Sequence, residues 1–296
     1  MNFNHFIILA IKGVAMGAAD LIPGISGGTV ALITGIYENL IKSLNKIISS
    51  KRKITNLPHI LKSSEFTFLL NLFLGIICGV LAFSRLIEFL FNTYEILTWS
   101  FISGLIISAI ILLIWRIKSW NINNVLFIFL GIILGQIVVS VPNLDTTHNI
   151  YIIFLSGFFA ISAMLLPGIS GSYILVLLGQ YAYIITSLNN FNLSVISTFI
   201  LGAVLGLIVF TKIVSAVMKR WNKNTIILMT GLIIGSLTKL WPWKNNNNEN
   251  ISPMTWENST NNDPQLYAAI IFFISAVLLG LLISYLSLKL SPKVFR

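Results

Sequence analysis

Pro23-Gly24-Ile25-Ser26-Gly27 recurs, residue for residue, as Pro167-Gly168-Ile169-Ser170-Gly171. Each copy splits an apolar stretch, residues 5–49 in one case and 150–188 in the other. Proline removes a backbone donor and glycine leaves the helical region cheaply, so each copy breaks a helix. In hydrocarbon, irregular backbone survives only where protein or a cavity satisfies its polar groups. The strings therefore predict two broken hairpins, 5–49 with its tip at 23–28 and 150–188 with its tip at 167–172. A re-entrant path is favoured for both, with two short crossings as the alternative.

The composition supplies the hydrocarbon. Of 296 residues, 56 % are hydrophobic and 9 % charged, and the mean hydropathy is +0.89. A soluble chain carries roughly 25 % charged residues. A soluble enzyme, a disordered chain and a secreted disulfide scaffold are excluded on that ground, and Cys78 is the one cysteine. The net charge of +10 reads as basic loops on one side of a membrane rather than as a nucleic-acid surface. The opening MNFNHFIILAIK has neither a basic leader nor a small-residue cleavage site, so no removable signal peptide is expected.

The repeated string belongs to a longer internal repeat. At an offset of 144, Gly35, Tyr37, Ser43 and Leu44 match Gly179, Tyr181, Ser187 and Leu188. At an offset of 127, Gly75, Gly79, Phe83, Ser84, Arg85 and Leu86 match Gly202, Gly206, Phe210, Thr211, Lys212 and Ile213. The first repeat, 1–141, then holds its hairpin and helices 66–91, 98–115 and 124–141. The second, 142–296, holds its hairpin and helices 195–217, 225–241 and 266–288. Basic residues collect in the 42–62 loop, at Arg116 and Lys118, at 219–223 and at the C-terminus. Placing them in the cytoplasm puts both termini inside and gives each repeat an odd number of crossings. The fold class read from the sequence is thus an all-α polytopic membrane protein of two inverted-topology repeats, an arrangement common in secondary transporters with midplane sites.

The chemistry follows from the tips. Beyond each break a half-helix begins, with unpaired amides and the positive end of its dipole. Ser26, Gly27, Gly28 and Thr29 in one copy, and Ser170, Gly171 and Ser172 in the other, offer amides and hydroxyls of the phosphate-binding kind. The plainer reading is a tight turn at Pro23-Gly24 and Pro167-Gly168 with serine caps. An inverted pair favours the anion site. Arg85 and Lys212 occupy matched positions in apolar segments, where charge is expensive. They are candidates to grip phosphate, with snorkelling to the surface as the alternative for Arg85. Glu88, one turn on, is a partner for Arg85. Asp20 and Glu38 have Met164 and Ala182 as repeat partners, so only the first hairpin is acidic. Asp20 is a candidate to bind a coupling proton or sodium ion, or to pair with Lys12; Glu38 sits towards the cytoplasmic rim. The spaced glycines read as packing positions. No metal-ligand spacing and no catalytic set are found, so neither a metal, a cofactor nor an enzyme activity is expected.

The run from Lys12-Gly13 to Asp20, through Pro23-Gly24-Ile25-Ser26-Gly27-Gly28-Thr29 to Gly35-Ile36-Tyr37-Glu38, resembles the bacterial polyprenyl-phosphate transporter family, PopT, once known only as a domain of unknown function. The resemblance extends through the second Pro-Gly-Ile-Ser-Gly and nearly the whole chain. It implies a multi-pass protein of the bacterial cytoplasmic membrane that returns undecaprenyl phosphate, or a related polyprenyl phosphate, from the outer to the inner leaflet, recycling the lipid carrier of envelope and peptidoglycan synthesis. Its partners would be that lipid and the surrounding bilayer. The residues fit this reading, since a buried phosphate faces an idealised desolvation cost on the order of tens of kcal/mol that tip donors and cations would offset. Two other readings stand beside it: a transporter or channel for a small soluble anion, and an integral membrane lipid phosphatase.

Overall fold

The computed structural model of the chain describes residues 3–22, 24–50, 63–117, 119–141, 144, 146–245 and 249–290. Pro23, the basic segment 51–62, Lys118, Asp145 and the C-terminal Lys293 and Arg296 lie outside the described residues. The fold is all-helical, without strands among the described residues. Helices Ser64–Thr93, Glu95–Trp115, Ile122–Ser140, Leu193–Leu240 and Leu266–Ile283 are each long and apolar enough to cross a membrane. Their outward faces carry large apolar side chains such as Phe73, Leu81, Phe129, Leu201 and Ile271. Water would penalise such faces, whereas lipid accepts them.

Two compact units divide the chain, one from residues 1–83 and 140–229, the other from 84–139 and 230–296. Each draws a part from both halves of the sequence.

The first unit contains both hairpins. The first hairpin is α1 (Phe3–Asp20), α2 (Gly27–Ile33) and α3 (Tyr37–Ile48). α4 (Ser64–Thr93) follows. The second hairpin is α7 (Ile150–Met164), α8 (Gly171–Leu177) and α9 (Tyr181–Asn189). Each hairpin therefore has two breaks, not the single one read from the sequence. The added break lies at Gly35 and at Gly179, with φ of 75° and 65°. The expected break lies at Gly24 and Gly168, with φ of 85° and 90°. Only glycine adopts these left-handed values without strain. The bend between α8 and α9 is 109°.

α2 and α8 begin and end at positions 144 apart, so the repeat seen in the sequence is also a repeat of elements. The helix against each hairpin repeats as well. A β-carbon on Gly13 would lie 2.5 Å from the Leu72 carbonyl, with Gly75 beside it. In the second half Gly157 meets Phe199, and Gly202 meets Phe154. Gly13 and Gly157 are 144 apart, and Gly75 and Gly202 are 127 apart. Backbone-to-backbone contact of this kind is what small residues permit between membrane helices. α10 (Leu193–Ser236) leaves helical geometry at Trp221, with φ −137° and ψ 50°. Tyr94, its repeat partner, has φ −134° and ψ 47°. Segments 195–217 and 225–241 are thus two helices joined at a kink, as 66–91 and 98–115 are.

The second unit packs α5 (Glu95–Trp115) against α12 (Leu266–Leu290), and α6 (Ile122–Ser140) against the end of α10. Its loop is capped by tryptophans. Trp243 Nε1 donates to the Pro264 carbonyl at 3.0 Å, and Trp241 Nε1 to that of Ile251 at 2.7 Å. A short helix, α11 (Pro253–Thr260), carries Ser252 as its cap. Lys244 Nζ donates to the Lys239 carbonyl at 2.8 Å and lies 5.0 Å from the Trp99 ring centre. Burial pushes its ammonium below the ordinary lysine range, and the charge of Glu95 opposes that.

Candidate substrate site at the paired helix breaks

The two breaks meet within the first unit. Ser26 caps α2, accepting from the Gly28 N–H at 3.0 Å. The same hydroxyl donates to the Met164 carbonyl at 3.0 Å, at the end of α7. The Gly168 N–H donates to Thr29 Oγ1 at 2.8 Å. The Tyr37 hydroxyl donates to the Leu165 carbonyl at 2.8 Å. Side chains of the first hairpin thereby satisfy backbone groups that the break in the second leaves open, as buried polar groups require. Ser26, Thr29, Tyr37 and Ser170 are all buried, and Pro167 is fully so. Gly28 permits the approach, because a β-carbon there would lie 2.9 Å from the Met164 carbonyl oxygen.

The tips differ in how their amides are engaged. At the first, the Gly27 N–H donates to the Asp20 carboxylate at 2.6 Å and the Thr29 N–H to the Ser26 carbonyl at 2.8 Å. Together with the Gly28 bond, the leading amides of α2 are already held. Asp20 thus acts as the internal anion of this tip. Lys12 instead donates to the Thr34 carbonyl at 2.8 Å. At the second tip Met164 stands where Asp20 would be, and Ser170 makes no capping bond. Ser170 and Ser172 hydroxyls bond each other at 2.7 Å, and Ser172 is exposed while Gly171 is half-buried.

The charged candidates fall elsewhere. Arg85 and Glu88 are both exposed on α4, in the part belonging to the second unit. No ion pair joins them among the described residues. Lys212 is exposed on α10, in the first unit. Glu38 pairs with Lys42 one turn on. No group of three or more metal-ligating side chains occurs among the described residues.

Two residues of interest were not signalled by the sequence. Tyr37 was visible only as a repeat match, and its partner Tyr181 is exposed, so symmetry gave no hint of the bond to Leu165. Thr211 was visible only as the neighbour of Lys212. It is fully buried, and its hydroxyl lacks a hydrogen-bond partner among the described residues.

Residues 16–258 match the family described as Undecaprenyl phosphate translocase-like. The chain belongs to that family. It is 35 % identical over 294 residues to the polyprenyl-phosphate transporter of Vibrio cholerae serotype O1, covering 94 % of this chain and 96 % of the relative. It is 32 % identical over 250 residues to the polyprenyl-phosphate transporter of Staphylococcus aureus, covering 78 % of this chain and 85 % of that protein. No solved structure matches the chain. The family membership places the protein among transporters rather than enzymes, and its apolar helices make it a membrane protein.

Proposed function

We propose that the protein carries a polyprenyl phosphate, undecaprenyl phosphate in particular, from the outer to the inner leaflet of the bacterial cytoplasmic membrane. The observation that carries this reading is the interlocking of the two Pro-Gly-Ile-Ser-Gly breaks, which gathers buried hydroxyls in a chain otherwise built for lipid. The names of the relatives support the same substrate. The isoprenoid tail stays in the bilayer throughout, so the protein has only to shelter the headgroup.

The asymmetry of the tips assigns them different work. The second tip, without an internal carboxylate, receives the phosphate on Ser170, Gly171 and Ser172. The first tip, closed by Asp20, holds the coupling site. A proton on Asp20, or a sodium ion beside it, weakens its hold on the Gly27 amide and so links tip geometry to the ion gradient. Arg85 and Lys212 draw the anionic headgroup on its way in and out, Arg85 by a two-pronged hydrogen bond and Lys212 as a point charge.

The test is transport by purified protein in liposomes. A polyprenyl phosphate is supplied in one leaflet and its arrival in the other is read with a membrane-impermeant reagent. Arg85→Ala and the Ser170→Ala/Ser172→Ala pair should each abolish arrival while leaving the protein folded. Full transport in Arg85→Ala removes that residue from the mechanism. Uptake of inorganic phosphate without lipid movement would favour a soluble-anion transporter instead.

A further inference from the structure

A cavity of about 410 Å³ opens between α3 and the start of α4, lined by Asn39, Lys42, Ser43, Lys46, Ser64, Glu65 and Phe68. We propose that it seats the phosphate headgroup of an acidic membrane phospholipid at the cytoplasmic surface, separate from the transported lipid. α3 is amphipathic. Tyr37 and Ile41 bury one face, at 2 % and 1 % exposure. Lys42 and Lys46 stand four residues apart, and both line the cavity. A helix fastened by its apolar side and basic on the outer side is the form that lies at headgroup depth.

The charges favour an anion. Two lysines and one carboxylate residue, Glu65, line the cavity. Each lysine has a glutamate partner, Lys42 the 40 % exposed Glu38 and Lys46 the 20 % exposed Glu65. The lysine side chains are 67 % and 70 % exposed, so these pairs are held weakly and exchange readily for another anion. Ser43 and Ser64 supply hydroxyls, and Phe68 an apolar wall.

The position favours a lipid over free phosphate. α4 opens with Ser64 and Glu65 and continues without another charge until Arg85. The cavity thus sits where the polar end of a spanning helix passes into its apolar body, at the depth of lipid headgroups. The basic loop chemistry of the same region places this end in the cytoplasm, where acidic lipids give the surface its negative potential.

The full chain is tested by native mass spectrometry in detergent, with phosphatidylglycerol or phosphatidylcholine added. Phosphatidylglycerol should be retained in preference. Each lysine near an acidic surface contributes about fivefold in affinity, so Lys42→Gln and Lys46→Gln should each weaken retention about fivefold and the pair on the order of 25-fold. Glu65→Gln should strengthen it, because it frees Lys46; loss of structure could not produce a gain. Lys219→Gln, exposed elsewhere, should leave retention unchanged. Inorganic phosphate in large excess should not displace the lipid. Unaltered retention in the double variant, equal loss in Lys219→Gln, weaker binding in Glu65→Gln, or displacement by inorganic phosphate would each overturn the proposal. Since the readout is lipid retention, its result is independent of whether transport of polyprenyl phosphate succeeds.

Discussion

Replacing Thr29 with valine removes one oxygen from the junction of the two hairpins and leaves the shape nearly intact. Thr29 is 1 % exposed, and its Oγ1 is the acceptor for the Gly168 N–H at 2.8 Å. Valine leaves that amide buried without a partner. A buried donor so stranded costs about 1–3 kcal/mol, since the full desolvation penalty is no longer offset. No cavity forms to absorb the change, because a methyl takes the place of the hydroxyl. The amide also belongs to the left-handed Gly168, so it cannot turn towards another acceptor without moving the tip. If the tips stay joined through the transport cycle, the penalty falls on stability alone and lowers the thermal midpoint. If they part during the cycle, the same about 1–3 kcal/mol shifts the balance of access states by about 5- to 150-fold. Thermal unfolding of protein in nanodiscs, together with lipid transport in liposomes, separates the two. Thr29→Ser keeps the oxygen and should restore most of the loss. Wild-type unfolding and transport in Thr29→Val, or failure of Thr29→Ser to rescue, would refute the hydrogen-bonded junction.

Other outcomes follow from the same geometry. Gly28→Ala would set a β-carbon 2.9 Å from the Met164 carbonyl; it should push the tips apart, lower the thermal midpoint by several degrees and reduce transport at least tenfold, on an overpacking cost of about 1–3 kcal/mol. Asp20→Asn keeps an oxygen for the Gly27 amide but cannot carry a charge; the protein should fold while transport loses its response to an imposed pH or sodium gradient. The response surviving in Asp20→Asn would move the coupling site elsewhere. Lys244 has its ammonium held below the ordinary value of 10.5, so between its lowered value and 10.5 the unfolded chain binds more protons than the folded one. Stability should therefore rise as pH climbs through that window, and Lys244→Met should flatten the rise in a pH series of melting curves.

Much of this architecture was legible before any coordinates. The offset of 144 located α2 and α8 together, and the offset of 127 aligned two helices around Gly75 and Gly202. What the pattern concealed has physical reasons. Gly35 and Gly179 were seen as repeat matches, yet neither has a proline beside it, so the sequence did not register a second bend. The turn is made by backbone dihedrals alone, at φ of 75° and 65°. The bends at Tyr94 and Trp221 were legible as the gaps between segments 66–91 and 98–115 and between 195–217 and 225–241, though the residue at which each falls was not. Within the site, the hydroxyls of Ser26 and Thr29 were legible from type and spacing. Their partners are backbone groups 138 and 139 residues away in sequence, which no local pattern carries. Asp20 stood out through the absence of a repeat partner. Its carboxylate accepts from the Gly27 amide at 2.6 Å, a bond that no repeat pattern carries.

Where the headgroup binds decides the transport mechanism most directly. An experimental structure of the protein in a lipid nanodisc with a polyprenyl phosphate would locate it. Phosphate density within hydrogen-bonding distance of Ser170 and Ser172, with Ser26 and Thr29 still bonded to the opposite hairpin or newly released from it, is the predicted result. A phosphate bound away from both breaks, with the two tips closed on each other and facing only hydrocarbon, would contradict it.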